Sequence, residues 1–242
     1  MSSFFPMGQD SSPSSGSAGT INGVMVATVT NINDPEKLGR VKLKFPVREN
    51  EHETDWAPIA SMMTGSAMGT MFIPDVGDEV LVAFHLGHLN QPFVIGSLWN
   101  SQKKPPTYEQ TNKIRKIQTK KGHELIFDDN DSAAKITLKT PDGHKIEFDD
   151  QKDTIKMLTS TGNQEVSVTG GSSGNVTVKC GSSKIEITQT GDITINATKA
   201  VTIKGPQISV EATAKLSLAA SGAVEIKSDG LLTLKGAMVK IN

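Results

Sequence analysis

Between Ile21 and Asn100 the apolar residues come in short runs separated by turn signals, which is the pattern of small strands rather than helices. Gly23–Val29 reads as a first strand, followed by the turn Asn33-Asp34-Pro35-Glu36-Lys37-Leu38-Gly39. Arg40–Phe45 alternates polar and apolar residues at period two until Pro46 ends the run, as a half-buried strand does. Asp55–Ala60 supplies a third strand, Glu79–Phe84 a fourth after the turn Pro74–Asp78, and Gln91–Trp99 a fifth. Five short strands in this stretch suit a small closed barrel, because closure removes the free edges along which strands aggregate.

Beyond the segment 101–112, whose Lys103-Lys104-Pro105-Pro106 breaks any regular element, the chain repeats itself. Gly122-His123-Glu124-Leu125-Ile126-Phe127-Asp128-Asp129 returns as Gly143-His144-Lys145-Ile146-Glu147-Phe148-Asp149-Asp150, and each copy precedes a short strand, Ile136-Thr137-Leu138 and then Ile155-Lys156-Met157. From Val176 a tighter repeat takes over, two aliphatic residues flanking one polar residue. The pairs are Val176 and Val178, Ile185 and Ile187, Ile193 and Ile195, Val201 and Ile203, Ile208 and Val210, Leu216 and Leu218, Val224 and Ile226, Leu232 and Leu234, and Val239 and Ile241. Their successive spacings are 9, 8, 8, 7, 8, 8, 8 and 7 residues. Each pair is expected to point inward and its middle residue outward. Glycines fall between the pairs, where sharp bends need them.

Geometry links this repeat to an oligomeric state. Eight extended residues span about 26 Å, so a single-chain coil of that perimeter has three sides of about 9 Å and no room for inward side chains. If three chains each supply one side in turn, the aliphatic pairs meet on a threefold axis and the strand edges pair between chains. A homotrimeric intertwined triple-stranded β-helix follows, with the pairs from Val176 and Val178 through Leu232 and Leu234 as its core. The competing arrangement is a single-chain meander with one strand per octad, which leaves a thin sheet with much apolar area uncovered.

Composition adds further constraints. The eight Phe, two Trp and one Tyr all lie at or before Phe148, so the rest of the chain must build a core without aromatic area. The net charge of −1 gives no overall bias toward nucleic acid or membranes. The one cysteine, Cys180, excludes an intrachain disulfide and a cysteine-based zinc site, and reads as a buried small apolar residue. No run approaches the roughly 18 apolar residues of a membrane helix, and Met1–Thr20 lacks the regions of a signal peptide, so assembly in the cytoplasm is expected. Residues 1–20 have linker composition and read as a flexible arm; Phe4 and Phe5 at its head are either an anchor for a partner or an incidental apolar start.

Enzymatic candidates fail on context. Asp128-Asp129 and Asp149-Asp150 recur with the repeat at strand ends, where Asp favours turns. His123 and His144 recur likewise; in a trimer they would form threefold rings, a conceivable ion site, although a hydrogen-bonded or exposed histidine is the commoner role. No catalytic, metal or cofactor residue is assigned.

A family resemblance rests on Asp34-Pro35-Glu36-Lys37-Leu38-Gly39-Arg40-Val41-Lys42-Leu43, on Trp56–Ala60, on Ile73-Pro74-Asp75-Val76-Gly77-Asp78-Glu79-Val80-Leu81-Val82-Ala83-Phe84, and on Gly87, Asn90-Gln91-Pro92 and Gly96–Asn100. This ordered set resembles the OB-fold domain of phage baseplate assembly protein V and of VgrG spikes. The resemblance implies an all-β chain: arm 1–20, OB barrel 21–100, linker 101–112 and trimeric β-helix needle 113–242. It also implies a non-enzymatic central spike of a contractile tail or injection system, docking to a tube or hub and transmitting force to puncture a target envelope.

Some relatives insert a lysozyme domain between barrel and needle, for which residues 101–112 are too short, and the large hub domain that opens VgrG chains has no counterpart here, so a separate hub protein is expected. Some phage spikes end in a His-x-His iron tip, whereas no histidine follows His144. Val239, Lys240, Ile241 and Asn242 would instead present a blunt apolar end for a separate cone resembling PAAR-repeat tip proteins. The alternative role, a trimeric receptor- or carbohydrate-binding tail fibre, would need a distal knob. Oligonucleotide binding, which an OB barrel alone suggests, is disfavoured by 5 basic against 9 acidic side chains in residues 21–100.

Overall fold

A computed structural model of the chain describes residue 21, residues 23–46 and residues 53–241. The expectations for the arm 1–20 and for Asn242 lie outside the described residues. The chain divides into two compact units, one running up to Pro141 with Phe148–Gln151, the other formed by Asp142–Glu147 and the residues from Lys152 onward.

In the first unit, β1 (Met25–Asn31), β2 (Lys42–Lys44), the short hairpin β3 (Thr64–Gly65) and β4 (Met68–Gly69), β5 (Glu79–Phe84) and β6 (Pro92–Leu98) build the barrel. The order β2-β1-β5-β6 makes one antiparallel sheet. The alternation seen in the sequence is realised in β5, where Val80, Val82 and Phe84 are buried and the residues between them are not. They meet Ala27, Val29, Val41, Leu43, Phe45, Ala57 and Val94 in one core, with the Phe45 and Phe84 rings 5.7 Å apart.

Asp55–Ala60, expected as a full strand, contributes two isolated bridges instead, Val41 with Ala57 and Ile59 with Val94. Pro58 explains the difference: it has no N–H to give a ladder, and contributes only its carbonyl, which accepts the Val94 N–H at 2.9 Å. The two bridges still link the start of β2 to β6. Residue Ile95 bulges out of the β5–β6 register between Gly96 and Val94, which adds local twist.

The same unit holds β7 (Ile114–Gln118), β8 (Glu124–Asp128) and β9 (Lys135–Lys139), an antiparallel meander. β10 (Lys145–Asp149) falls at the division between the units. The second unit continues with β11 (Thr154–Leu158), β12 (Gln164–Thr169), β13 (Asn175–Cys180), β14 (Ser183–Thr188) and β15 (Ile193–Asn196), each paired antiparallel with the next. The turn glycines of the repeated Gly-His units sit at φ +86° (Gly122) and +93° (Gly143), a region that disfavours any side chain.

The aliphatic pairs, expected to form the core of a trimer, are not buried within the single chain. Val176, Val178, Ile185, Ile187, Ile193 and Ile195 lie on the hairpin meander and remain substantially exposed. Val201 and Ile203, Ile208 and Val210, Leu216 and Leu218, Val224 and Ile226, and Leu232 and Leu234 belong to no strand and are exposed, as residues 198–241 are throughout. The reason is physical: a strand needs a neighbour for its backbone donors and acceptors, and one octad is too short to fold back over its own aliphatic pair. A further expectation changes at Cys180, which is exposed rather than buried because it ends β13 at the turn into Gly181.

Candidate assembly surfaces

The loop between β1 and β2 is organised by Asp34. Its Oδ1 accepts Nη2 of Arg40 at 2.7 Å and the Glu36 N–H at 3.1 Å; its Oδ2 accepts Nε of Arg40 at 2.9 Å and the Leu38 N–H at 3.0 Å. The Asp34 side chain is only 3% exposed. The Arg40 guanidinium, followed by the backbone donors, holds its carboxyl well below the usual carboxylate range, against an opposing push from burial. Lys37 and Gly39 take up positive φ so that this wrap is possible. The result presents Leu38 beside a groove of about 370 Å³ lined also by Ile59, Met62, Met71, Phe72 and Ile73.

The β3–β4 hairpin forms the far wall of that groove. Gly69 sits at φ +148°, and a Cβ there would lie 2.6 Å from the Met63 carbonyl oxygen, so only glycine permits this tight closure. No charged residue occurs from Trp56 to Pro74. The neighbouring turn Pro74–Asp78 is pinned by charge: Asp75 meets Lys120 at 2.8 Å and Asp78 meets Lys103 at 2.6 Å. Lys120 lowers the Asp75 carboxyl below its ordinary value.

The second surface is an aliphatic ladder. Cross-strand register sets Ile155, Val168, Val176, Ile187 and Ile193 directly opposite one another from β11 to β15, and beside them Met157, Val166, Val178, Ile185 and Ile195. Because successive side chains alternate, both columns share one face of the meander, and Lys156, Ser167, Thr177, Glu186 and Thr194 run down the other. Most ladder residues are about half exposed; Ile193 reaches 68%. The structure therefore aligns Val176, Val178, Ile185, Ile187, Ile193 and Ile195 on one face. It does not bring together the later pairs: Ile203, Val210, Leu218, Ile226 and Leu234, with their partners Val201, Ile208, Leu216, Val224 and Leu232, lie on octads that pair with no strand of their own chain. Val239 and Ile241 are exposed as well.

Reading the repeat from Val176 misses that Ile155 with Met157 and Val166 with Val168 continue the same columns. In the first unit Leu125 and Phe127 are aligned with Leu138 and Ile136 in the same way. The signal is present in the sequence, an aliphatic or aromatic pair around one residue, but at spacings longer than eight because the hairpin loops are longer.

The residues considered for chemistry are taken up by local structure. Asp128 accepts the Asn130 N–H at 3.1 Å, and Asp129 pairs with Arg115. The Ser160 N–H donates to Nδ1 of His144 at 3.3 Å, and the His123 N–H donates to Oγ1 of Thr119 at 3.1 Å. Among the described residues no three His, Cys, Asp or Glu side chains gather as metal ligands, and no helix is long and apolar enough to cross a membrane.

Residues 25–99 match the family model described as the Type VI secretion system/phage-baseplate injector OB domain. The barrel is thus similar to an injector OB domain. About half of the chain is also similar to VgrG proteins. It is 32% identical over 132 residues to the Type VI secretion system spike protein VgrG3 of Vibrio cholerae, a match covering 49% of this chain and 13% of that protein. Against the Vibrio cholerae actin cross-linking toxin VgrG1 it is 30% identical, covering 12% of the toxin. Against the Type VI secretion system spike protein VgrG2a of Pseudomonas aeruginosa it is 30% identical, covering 16%. The match thus spans under a fifth of each relative. The OB domain accounts for the ordered motifs: the Asp34–Arg40 wrap shapes one loop, Pro74–Asp78 turns into β5, and Gly96 lies opposite Leu81.

Proposed function

We propose that the chain is the non-enzymatic central spike of a contractile tail or injection system and works as a homotrimer. The observation that carries this is the aliphatic ladder joined to the run of octads beyond it, on a chain whose barrel is similar to an injector OB domain. An apolar stripe that long is an aggregation hazard unless covered, and three copies wound about one axis cover it while pairing their strand edges with each other. Val176, Val178, Ile185, Ile187, Ile193, Ile195 and the later pairs, from Val201 and Ile203 through Leu232 and Leu234, then form the core of an intertwined β-helix. Thr177, Glu186 and Thr194 face outward.

The mechanism is mechanical. Interchain hydrogen bonds and a continuous aliphatic axis make a rod with few ways to bend or slip. Assembled in the cytoplasm and carried in the particle, the ring of OB domains docks on a separate hub or baseplate protein. The needle transmits axial force from contraction to the target envelope, contacting it only on firing. Its C-terminal end, Val239 to Asn242, is capped by a PAAR-like tip protein. A receptor-binding fibre is the weaker reading, since the matched relatives include spike proteins by name.

Tip capping is tested by replacing Val239 and Ile241 with Asp. Wild-type protein is expected to retain the purified tip protein on gel filtration and the double variant to lose it; equal retention, or none by either, would remove the tip assignment.

A further inference from the structure

We propose that the β3–β4 hairpin of one OB domain seats on the outer β1–β5–β6 face of a neighbouring copy, so that three OB domains close a ring by head-to-tail contacts. The proposal rests on the trimer reading above and specifies how its barrels meet.

The hairpin is built for contact. Met62, Met63, Met68, Met71 and Phe72 are 85, 50, 59, 79 and 65% exposed. At about 200 Å² for a side chain of this size they present roughly 700 Å², above the ~300–600 Å² of the largest patch on an ordinary monomer and close to the ~800 Å² each partner gives to a standard interface. With no charged residue from Trp56 to Pro74, nothing in the segment must be desolvated as an ion on docking. Unbranched methionines also adapt their shape to a partner surface.

A second apolar patch lies on the same domain and shares no residue with the first. Inward Ala27, Val82 and Val94 leave their neighbours Val26, Ala83, Phe93 and Ile95 on the outer face, where Leu81 pairs with Val26 and Val24 extends the patch. Val24, Val26 and Ile95 are 52, 40 and 41% exposed. Charges return only at its border, at Glu79 and Lys44, both in register with Thr28.

Two unlike patches on one domain decide the symmetry. A hairpin meeting its own copy would make a twofold pair and leave the sheet face bare, whereas hairpin-on-sheet is a heterologous contact that repeats around an axis, and the trimer reading above sets that ring at three copies. Three is also the number of chains that the octad perimeter accommodates.

The test places a photocrosslinker in the full chain by Phe72→p-benzoylphenylalanine, at a side chain exposed enough to accept it, with mixed isotope-labelled and unlabelled copies. Light scattering is run on the same sample. The expected product is a crosslinked species of two and three chains, with mixed-isotope adducts on the peptides that hold Val24 and Val26 or Phe93 and Ile95. Adducts on residues 1–20 would assign the hairpin to the arm and overturn the proposal, as would adducts between two hairpins. A trimeric mass without interchain adducts overturns it too while leaving the spike reading intact; a folded monomer removes the spike reading itself.

Discussion

Asp34 shows how much one side chain decides. Five hydrogen bonds converge on its two oxygens, from the Glu36, Leu38 and Arg40 amides and from two nitrogens of the Arg40 guanidinium, and these fix the loop that carries Leu38 to the groove. Its carboxyl is held below the ordinary range in the folded chain, so the unfolded chain takes up the proton first as pH falls. The stability it contributes is present in full above pH ~5 and is lost progressively below the unfolded carboxylate range near pH ~4. Asp34→Asn removes the charge and one acceptor: its thermal midpoint at pH 7 is expected to fall by several degrees, and the gap to wild type to narrow in scans toward pH 3. A gap independent of pH would contradict the electrostatic account. The motif Asp34-Pro35-Glu36-Lys37-Leu38-Gly39-Arg40 is legible in the sequence as a turn and a family mark. The pairing of its first and last residues is not, because nothing in the spacing announces that a seven-residue loop bends back on itself.

At the level of elements, period-two patterning identifies β1, β2, β5 and β6 to within a few residues, since each has one face in the core and one outside. It over-reads Asp55–Ala60, where the apolar alternation is real but Pro58 denies the ladder a donor. It under-reads the repeat, because the register-determining feature is the aliphatic pair itself and the loops between pairs vary around eight residues. It also places Ile203, Val210, Leu218, Ile226 and Leu234 in a core that one chain alone does not build, since periodicity reports which side chains share a face and not what covers that face. Cys180 departs from expectation for a related reason: residue type suggests burial, but its place at a hairpin end decides. The ladder carries its own prediction. Ile187 lies between Val176 and Ile193 in one column, so Ile187→Glu places one unpaired carboxylate per chain against the proposed threefold core. Such burial costs about 3–5 kcal/mol per ion. The variant is expected to elute as a smaller species on gel filtration, while Glu186→Gln on the opposite face keeps the wild-type elution; equal behaviour of the two would place the core elsewhere.

For the whole molecule, covering the aliphatic face is the requirement from which the rest follows. The aliphatic pairs from Ile155 to Ile241 are half-exposed on a ladder two side chains wide and then more exposed on octads with no strand pairing of their own. That much apolar surface is stable in water only when covered. In the proposed trimer three copies would cover it with symmetry, pair the open strand edges and supply the stiffness a spike requires. The perimeter arithmetic that points to three chains is available from the sequence, whereas the hairpin and sheet patches of the OB domain emerge only once strand register shows which side chains face outward. The direct measurement is the solution mass of the purified full chain by light scattering, with a parallel unheated run in SDS. A mass of three times 25.8 kDa that persists in detergent is the predicted result. A stable, well-folded species of 25.8 kDa would contradict the intertwined needle and the spike mechanism built on it.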